Sequence, residues 1–270
     1  MAINANHIHD IAYEPGSLAV PPLGTRNGPV YFAYDWASIR CDAVLDPKNL
    51  RKAREIKLAA NPAGDTIYLP YGLGQIHSVY IPAPIYAPAG AVLPTGFLTA
   101  GMSGCKLFVD TVTTGIIVHH ANAGFGSLHG LANARADTEN AALNNALAAL
   151  HANALAWYTA APHNLVLQGP QRSMGRSTYS AGAVAEEDRK AAQGRVNSWA
   201  ANAPNPFIPD FFGGTTVIGE RNGGHWTFHW QTSGDCSYLR PKNFWKPWKA
   251  TMKGVADVRY KVVGHGQIYP

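Results

Sequence analysis

Only three cysteines, Cys41, Cys105 and Cys236, occur in the 270 residues. The number is odd and small, so a disulfide framework is excluded as the main staple, and reduced thiols open to chemistry are the simpler reading. Charge is also sparse, at 14% of residues, with 22 Lys and Arg against 17 Asp and Glu, a net +5. The basic residues are scattered rather than striped along one face, which argues against direct nucleic-acid binding. No apolar run reaches the roughly 18 residues of a membrane-spanning helix, so stable membrane insertion is not expected. The opening "MAINANHIHDIAYEPG" lacks a basic segment followed by an apolar core, and no Sec-type leader is expected. There is no HExxH, no CxxC, no internal repeat and no low-complexity linker. At 46% hydrophobic residues, a chain of this length buries about three quarters of its unfolded surface without needing staples.

The first hundred residues are rich in Tyr, Val and Ile and broken by Pro and Gly. "PVYFAYDW", "TIYLPYGL" and "HSVYIPAPIYAPAGAVLP" read as short strands and loops, with Pro82 to Pro94 as an alternative extended crossing segment. Between them "DPKNLRKAREIKLAA" predicts a helix that starts at Asp46 and Pro47. The strongest helix is "ADTENAALNNALAALHANALAWYTA", with Leu143, Leu147, Leu150 and Trp157 near helical spacing and Asp137 or Thr138 as its cap. A second helix is expected in "VAEEDRKAAQGRVNSWAANA". Then "TTVIGE", "HWTFHW" and "VRYKVVG" read as strands, with "TSGDCSYLRPKNFWKPWK" as a connecting loop. The pattern predicts one α+β domain over residues 1–270, made of mixed, largely antiparallel β-sheets in a sandwich-like arrangement flanked by helices.

One stretch, Thr95 to Gly124, carries the chemistry: "TGFLTAGMSGCKLFVDTVTTGIIVHHANAG". A thiol nucleophile needs a nearby imidazole and donors for the developing oxyanion. In "GMSGC" the glycines allow a tight backbone whose N–H groups approach a bound carbonyl, and Ser103 adds a donor. After Cys105, "KLFVDTV", a turn at "TTG" and "GIIVHH" predict a hairpin that returns His119 and His120 to the cysteine's end. Adjacent strand residues face opposite ways, so only one of the two histidines faces Cys105. "CKLFVDTV" is a poor helix start, which disfavours thiol hydrolases whose nucleophile opens a helix.

A Ser-Gly-Cys followed by a hairpin and a histidine fifteen residues on, at His120, resembles the catalytic domains of the cytotoxic necrotizing factors and dermonecrotic toxins. These toxins deamidate a glutamine of Rho-family GTPases. The related Burkholderia lethal factor deamidates a glutamine of a translation-initiation helicase and uses a threonine six residues before its cysteine, the position of Thr99 here. The lethal-factor branch has a shorter separation between cysteine and histidine, so this chain combines the spacing of one branch with the threonine of the other. The resemblance implies Cys105, His120 and Thr99 as catalytic residues, and Ser103 and Gly104 at the oxyanion turn. It implies a monomeric effector, released or injected without a Sec signal peptide, that deamidates a host GTPase or helicase in the target cell's cytosol and needs no cofactor.

Other readings compete. Free cysteines are among the most buried residue types, and Cys105 with His120 would then be structural parts of a binding module. A thiol amidase or protease with the same dyad is a third reading. Cys41 reads as structural, and Cys236, beside Asp235 in a Gly-containing loop, is the second candidate nucleophile. His225 and His229 would share a strand face and His7 with His9 repeats the spacing, a weak zinc pattern. "NFWKPWKATMK" alternates tryptophan and lysine, as a partner surface or an ordinary loop with snorkelling stems would.

Overall fold

The computed structural model describes residues 13–15, 25–27, 31–46, 54–102, 105–123, 137–175, 210–241 and 252–269. Among these are fourteen strands and one α-helix. The strands are β1 (Tyr13–Pro15), β2 (Thr25–Asn27), β3 (Tyr31–Asp35), β4 (Arg40–Asp46), β5 (Arg54–Ala60), β6 (Thr66–Leu69) and β7 (Gln75–Pro82) in the first part of the chain. Then come β8 (Gly96–Thr99), β9 (Lys106–Val112), β10 (Gly115–Asn122), helix α1 (Asp137–Thr159), β11 (Arg172–Met174), β12 (Asp210–Asn222), β13 (His225–Pro241) and β14 (Met252–Tyr269). No helix among the described residues is long and apolar enough to cross a membrane.

The strands form two mixed, largely antiparallel sheets. The larger has the order β1-β5-β4-β6-β8-β12-β13-β14, and the smaller β11-β9-β10-β7-β3-β2. This is the α+β, sandwich-like architecture that the alternation of short Tyr/Val/Ile runs implies. Ile67, Leu69, Phe97, Val217 and Phe228 from the larger sheet meet Val79, Ile81, Leu107, Val109, Ile116 and Val118 from the smaller in one apolar layer. Helix α1 covers the other face of the smaller sheet, seating Leu143, Leu147, Ala154 and Tyr158 on Ile76, Phe108, Ile117 and Ala121. Both faces of β10 are therefore buried, so residues 116–121 show no alternation between buried and exposed positions.

Two expectations are corrected. The predicted helix over 46–60 is contradicted at its C-terminal half: residues 54–60 form β5, antiparallel to β4. Ile56 turns inward, Lys57 outward and Leu58 inward again, so the period of two prevails once β4 offers a partner. The "TSGDC" loop is likewise strand, because β13 is hydrogen-bonded on both sides, to β12 and β14, and ladder pairing overrides the local preferences of Gly, Ser and Asp. The β13–β14 ladder carries register shifts at Phe228/His229, Thr232/Ser233 and Tyr238/Arg240. Pro82 still closes β7 opposite Gly115, whereas residues 83–94 leave it through a 3-10 turn at Pro84–Tyr86 and lie outside the sheets. The second predicted helix lies outside the described residues, as does the Trp/Lys segment apart from Met252 and Lys253 at the start of β14.

Candidate active site

The expected hairpin is β9–β10, and its register fixes which imidazole shares a face with the thiol. Val109 lies opposite Val118, Leu107 opposite His120, and Lys106 opposite Ala121. Continued by one residue, the same register sets Cys105 opposite Asn122. Directly opposed residues of an antiparallel pair point to the same face. Cys105, Leu107 and Val109 thus share the sandwich interior with Asn122, His120 and Val118, while His119 points to the helix-covered side. Cys105 and His120 are diagonal neighbours, a relation that spans about 7–8 Å and lies within reach of longer side chains. Asn122 Nδ2 donates to Cys105 Sγ at 3.3 Å.

Cys105 stands where the chain crosses between sheets. Met102 still bridges Thr215 of β12 in the larger sheet, and Lys106 opens β9 in the smaller. Thr99 is fully buried at the end of β8, beside Leu69 of β6, and its Oγ1 accepts the backbone N–H of Val217 at 3.0 Å. Thr99 therefore belongs to the opposing sheet, and its oxygen already serves β12. Ser103 and Gly104 lie outside the described residues.

His120 has no exposed surface, and its ring nitrogens make no well-aligned hydrogen bond among the described residues, only looser approaches to backbone carbonyls. Burial pushes its pKa down to about 3, with His77 opposite it on β7 adding to the depression; the carbonyls of Leu69 and Pro70 act the other way. At neutral pH the imidazole is uncharged and has a lone pair to accept a proton. Tyr71, half exposed on the turn after β6, lies against it with ring centroids 6.0 Å apart. Cys105 is only 1% exposed, so thiol and imidazole are both screened from bulk water.

His77 extends the polar row. Tyr34 Oη lies 2.8 Å from its Nδ1 and Gln75 Oε1 3.2 Å from its Nε2, partners that suit a neutral ring with its proton on Nε2. Burial pushes its pKa down to about 4. An unfolded imidazole titrates near about 6.5, so as pH falls the unfolded chain takes up this proton first and stability drains away down to about pH 4. At pH 5 this one residue is expected to cost about 2 kcal/mol relative to neutral pH. Denaturant unfolding of His77→Gln at pH 7 and pH 5 should show a smaller acid loss than the parent chain by about that amount. Equal losses in both would mean that His77 is not the residue responsible.

On the opposite face, beneath α1, lies a group that the hairpin argument did not anticipate. Asp110 Oδ2 is 2.6 Å from His151 Nε2 and 3.2 Å from His119 Nε2, and Ser78 Oγ is 2.7 Å from His119 Nδ1. Burial alone would raise the Asp110 pKa, but the two imidazoles beside the carboxylate outweigh it and hold it ionised, well below the usual carboxylate range. His119 is shifted downward, mainly by burial. Among the described residues, this is the one group whose ligand atoms approach as metal ligands do. The sequence carried two signals for it. His151 sits in the buried stripe of Leu143, Leu147, Ala154 and Tyr158, and Asp110 is a lone charge inside a strand buried on both faces.

The remaining candidates do not gather at a site. Cys41 is fully buried beside Ile56 and Leu98, and burial pushes its thiol up to about 12, as fits a structural residue. Cys236 lies within β13, opposite Phe211 and Arg259, rather than in a loop. His225 is exposed and His229 half-buried on β13, and neither joins the metal-type group; His7 and His9 lie outside the described residues. Comparison with protein-family models, with curated proteins and with solved structures finds no match to this chain.

Proposed function

We propose that this chain is a cysteine-dependent amidohydrolase that converts a glutamine side chain of a protein substrate to glutamate. The observation that carries the reading is the β9–β10 register: it sets His120, and not His119, on the face of Cys105, with the Asn122 amide donating to the sulfur. In the proposed reaction His120 accepts the Cys105 proton as Sγ attacks the carboxamide carbon. Asn122 stabilises the sulfur as it becomes anionic. The tetrahedral oxyanion is assigned in this reading to the backbone N–H groups of Ser103 and Gly104, on the strength of the sequence motif alone. His120 then delivers its proton to the departing nitrogen, ammonia leaves, and a thioester remains. Water attacks the thioester while His120 takes one of its protons and returns it to the sulfur, which restores the thiol and releases glutamate.

The wider role rests on the toxin resemblance: a monomeric bacterial effector acting on a Rho-family GTPase or a translation-initiation helicase of a host cell. Thr99 in this reading shapes the floor of the site from the opposing sheet, since its oxygen is held by Val217. Tyr71, exposed and lying against His120, and the exposed Leu73 two residues further on give a protein substrate apolar surface to rest on.

The test is to incubate the chain with each candidate protein and map the products by peptide mass analysis, with ammonia measured in parallel. One glutamine converted to glutamate in an intact polypeptide supports the reading. Chain cleavage would instead make the protein a thiol protease. No ammonia with either substrate, together with a Cys105 that resists alkylation in the folded state, would leave Cys105 and His120 as core residues of a binding module.

A further inference from the structure

The second polar group lies on the face of β9–β10 that the thiol chemistry does not use, and its ligand atoms come from three elements: Asp110 on β9, His119 on β10 and His151 on α1. All three residues are buried, and their donor atoms lie within 4.8 Å of one another. His119 is wholly buried, and its Nε2 lies 3.2 Å from Asp110 Oδ2, within ion-pair reach. Ser78 Oγ occupies the other ring nitrogen at 2.7 Å. In the tautomer that donates Nδ1–H to Ser78, Nε2 turns a lone pair into the group, the arrangement that prepares a histidine for a metal. We propose that Asp110 Oδ2, His119 Nε2 and His151 Nε2 bind one divalent first-row transition ion, zinc by the character of the ligands, with the fourth position toward Gln171.

Two imidazole nitrogens and one carboxylate oxygen suit zinc or cobalt and are too nitrogen-rich for calcium or magnesium. Bonds of about 2.0–2.2 Å in a tetrahedron set donor atoms about 3.3 Å apart. The 3.2 Å between Asp110 Oδ2 and His119 Nε2 already fits this spacing. The 2.6 Å between Asp110 and His151 is a hydrogen-bond distance and opens by several tenths of an ångström when the ion replaces the shared proton. The Gln171 side-chain nitrogen lies 3.0 Å from His151 Nδ1 and 3.3 Å from Asp110 Oδ1. A half-turn of that amide would bring its oxygen to accept Nδ1–H once Nε2 is metal-bound. Gln171 is exposed, so the ion has a route from solvent on that side. The bound ion would fasten α1 to the smaller sheet and raise the melting temperature with the logarithm of free ion concentration above its dissociation constant.

The test uses the full chain, stripped with chelator and titrated with Co²⁺ and Zn²⁺. Expected are one equivalent of Co²⁺ with the visible absorption of a tetrahedral site, displacement by Zn²⁺, and affinity at least about tenfold weaker in both Asp110→Asn and His151→Gln. Cys105→Ser should bind as tightly as the parent, which separates this site from the thiol. X-ray absorption at the zinc edge of the unmutated protein should count two imidazoles and oxygen without sulfur, a readout that does not depend on a variant folding. No binding by the parent chain, sulfur in the coordination sphere, or unchanged affinity in both folded variants would overturn the site and leave the group as a hydrogen-bonded clasp. Metal content is measured without turnover, so the outcome stands apart from the deamidase reading.

Discussion

Cys105→Ser should reduce glutamine turnover to background, a loss of roughly 10⁴-fold or more, with the melting temperature nearly unchanged. A serine hydroxyl is far less ionised than a thiol at neutral pH, and the neutral His120 beside it is too weak a base to compensate. The substitution is nearly isosteric in a closely packed position, and a serine oxygen can still accept from Asn122 Nδ2, so little stability is lost. The assay is ammonia release at saturating protein substrate, with Cys41→Ser and Cys236→Ser as controls that keep activity when folded. Full activity in Cys105→Ser would remove the mechanism, and a dead Cys236→Ser would move the nucleophile to the wrong-looking thiol in β13.

The second large effect separates the two adjacent histidines. His120→Ala should lower turnover by about 10²–10⁴-fold, the usual range for losing a general acid-base group, and should move thiol alkylation to higher pH. It also removes a wholly buried ring and leaves a cavity, so a stability loss of about 2–4 kcal/mol is expected alongside, and turnover is read per folded molecule. His119→Ala should differ from it in turnover. It withdraws one of two imidazoles from the buried Asp110 carboxylate and leaves Ser78 without its partner, so a loss of about 3 kcal/mol is expected, with turnover per folded molecule largely retained. The pair of measurements is denaturant unfolding and saturated turnover on both variants. If His119→Ala loses turnover while His120→Ala keeps it, the assigned face is wrong. Small, equal losses in both would mean that neither imidazole serves the thiol.

Much of the hairpin was legible because its signals are local. "KLFVDTV", the "TTG" turn and "GIIVHH" specify two strands and a tight connection, and the short loop leaves little freedom of register, which decides the face of His120. The long helix was legible for the same reason, through the spacing of Leu143 and Leu147. Strand β5 was misread because seven residues containing Arg, Glu and Lys satisfy helix preference as well as strand alternation, and only the neighbouring β4 tips the balance. The extension of β13 through "TSGDC" was misread because Gly, Ser and Asp favour turns until two neighbouring strands take up their backbone groups.

The sequence by itself determined the elements whose period and turn chemistry are self-contained: the β9–β10 hairpin, the opposite facing of His119 and His120, and the helix of residues 137–159. Tertiary structure alone decided what those side chains meet. It set Asp110, His119 and His151 together across 41 residues of chain, drew the Leu69 and Pro70 carbonyls to His120, and assigned Thr99 to the opposing sheet with its oxygen on Val217. The reason is physical: backbone period fixes the direction of a side chain within a few residues, whereas its neighbours depend on which strands pair and which faces close on each other. That closure gains its free energy from the whole apolar layer, and no short stretch of sequence contains it.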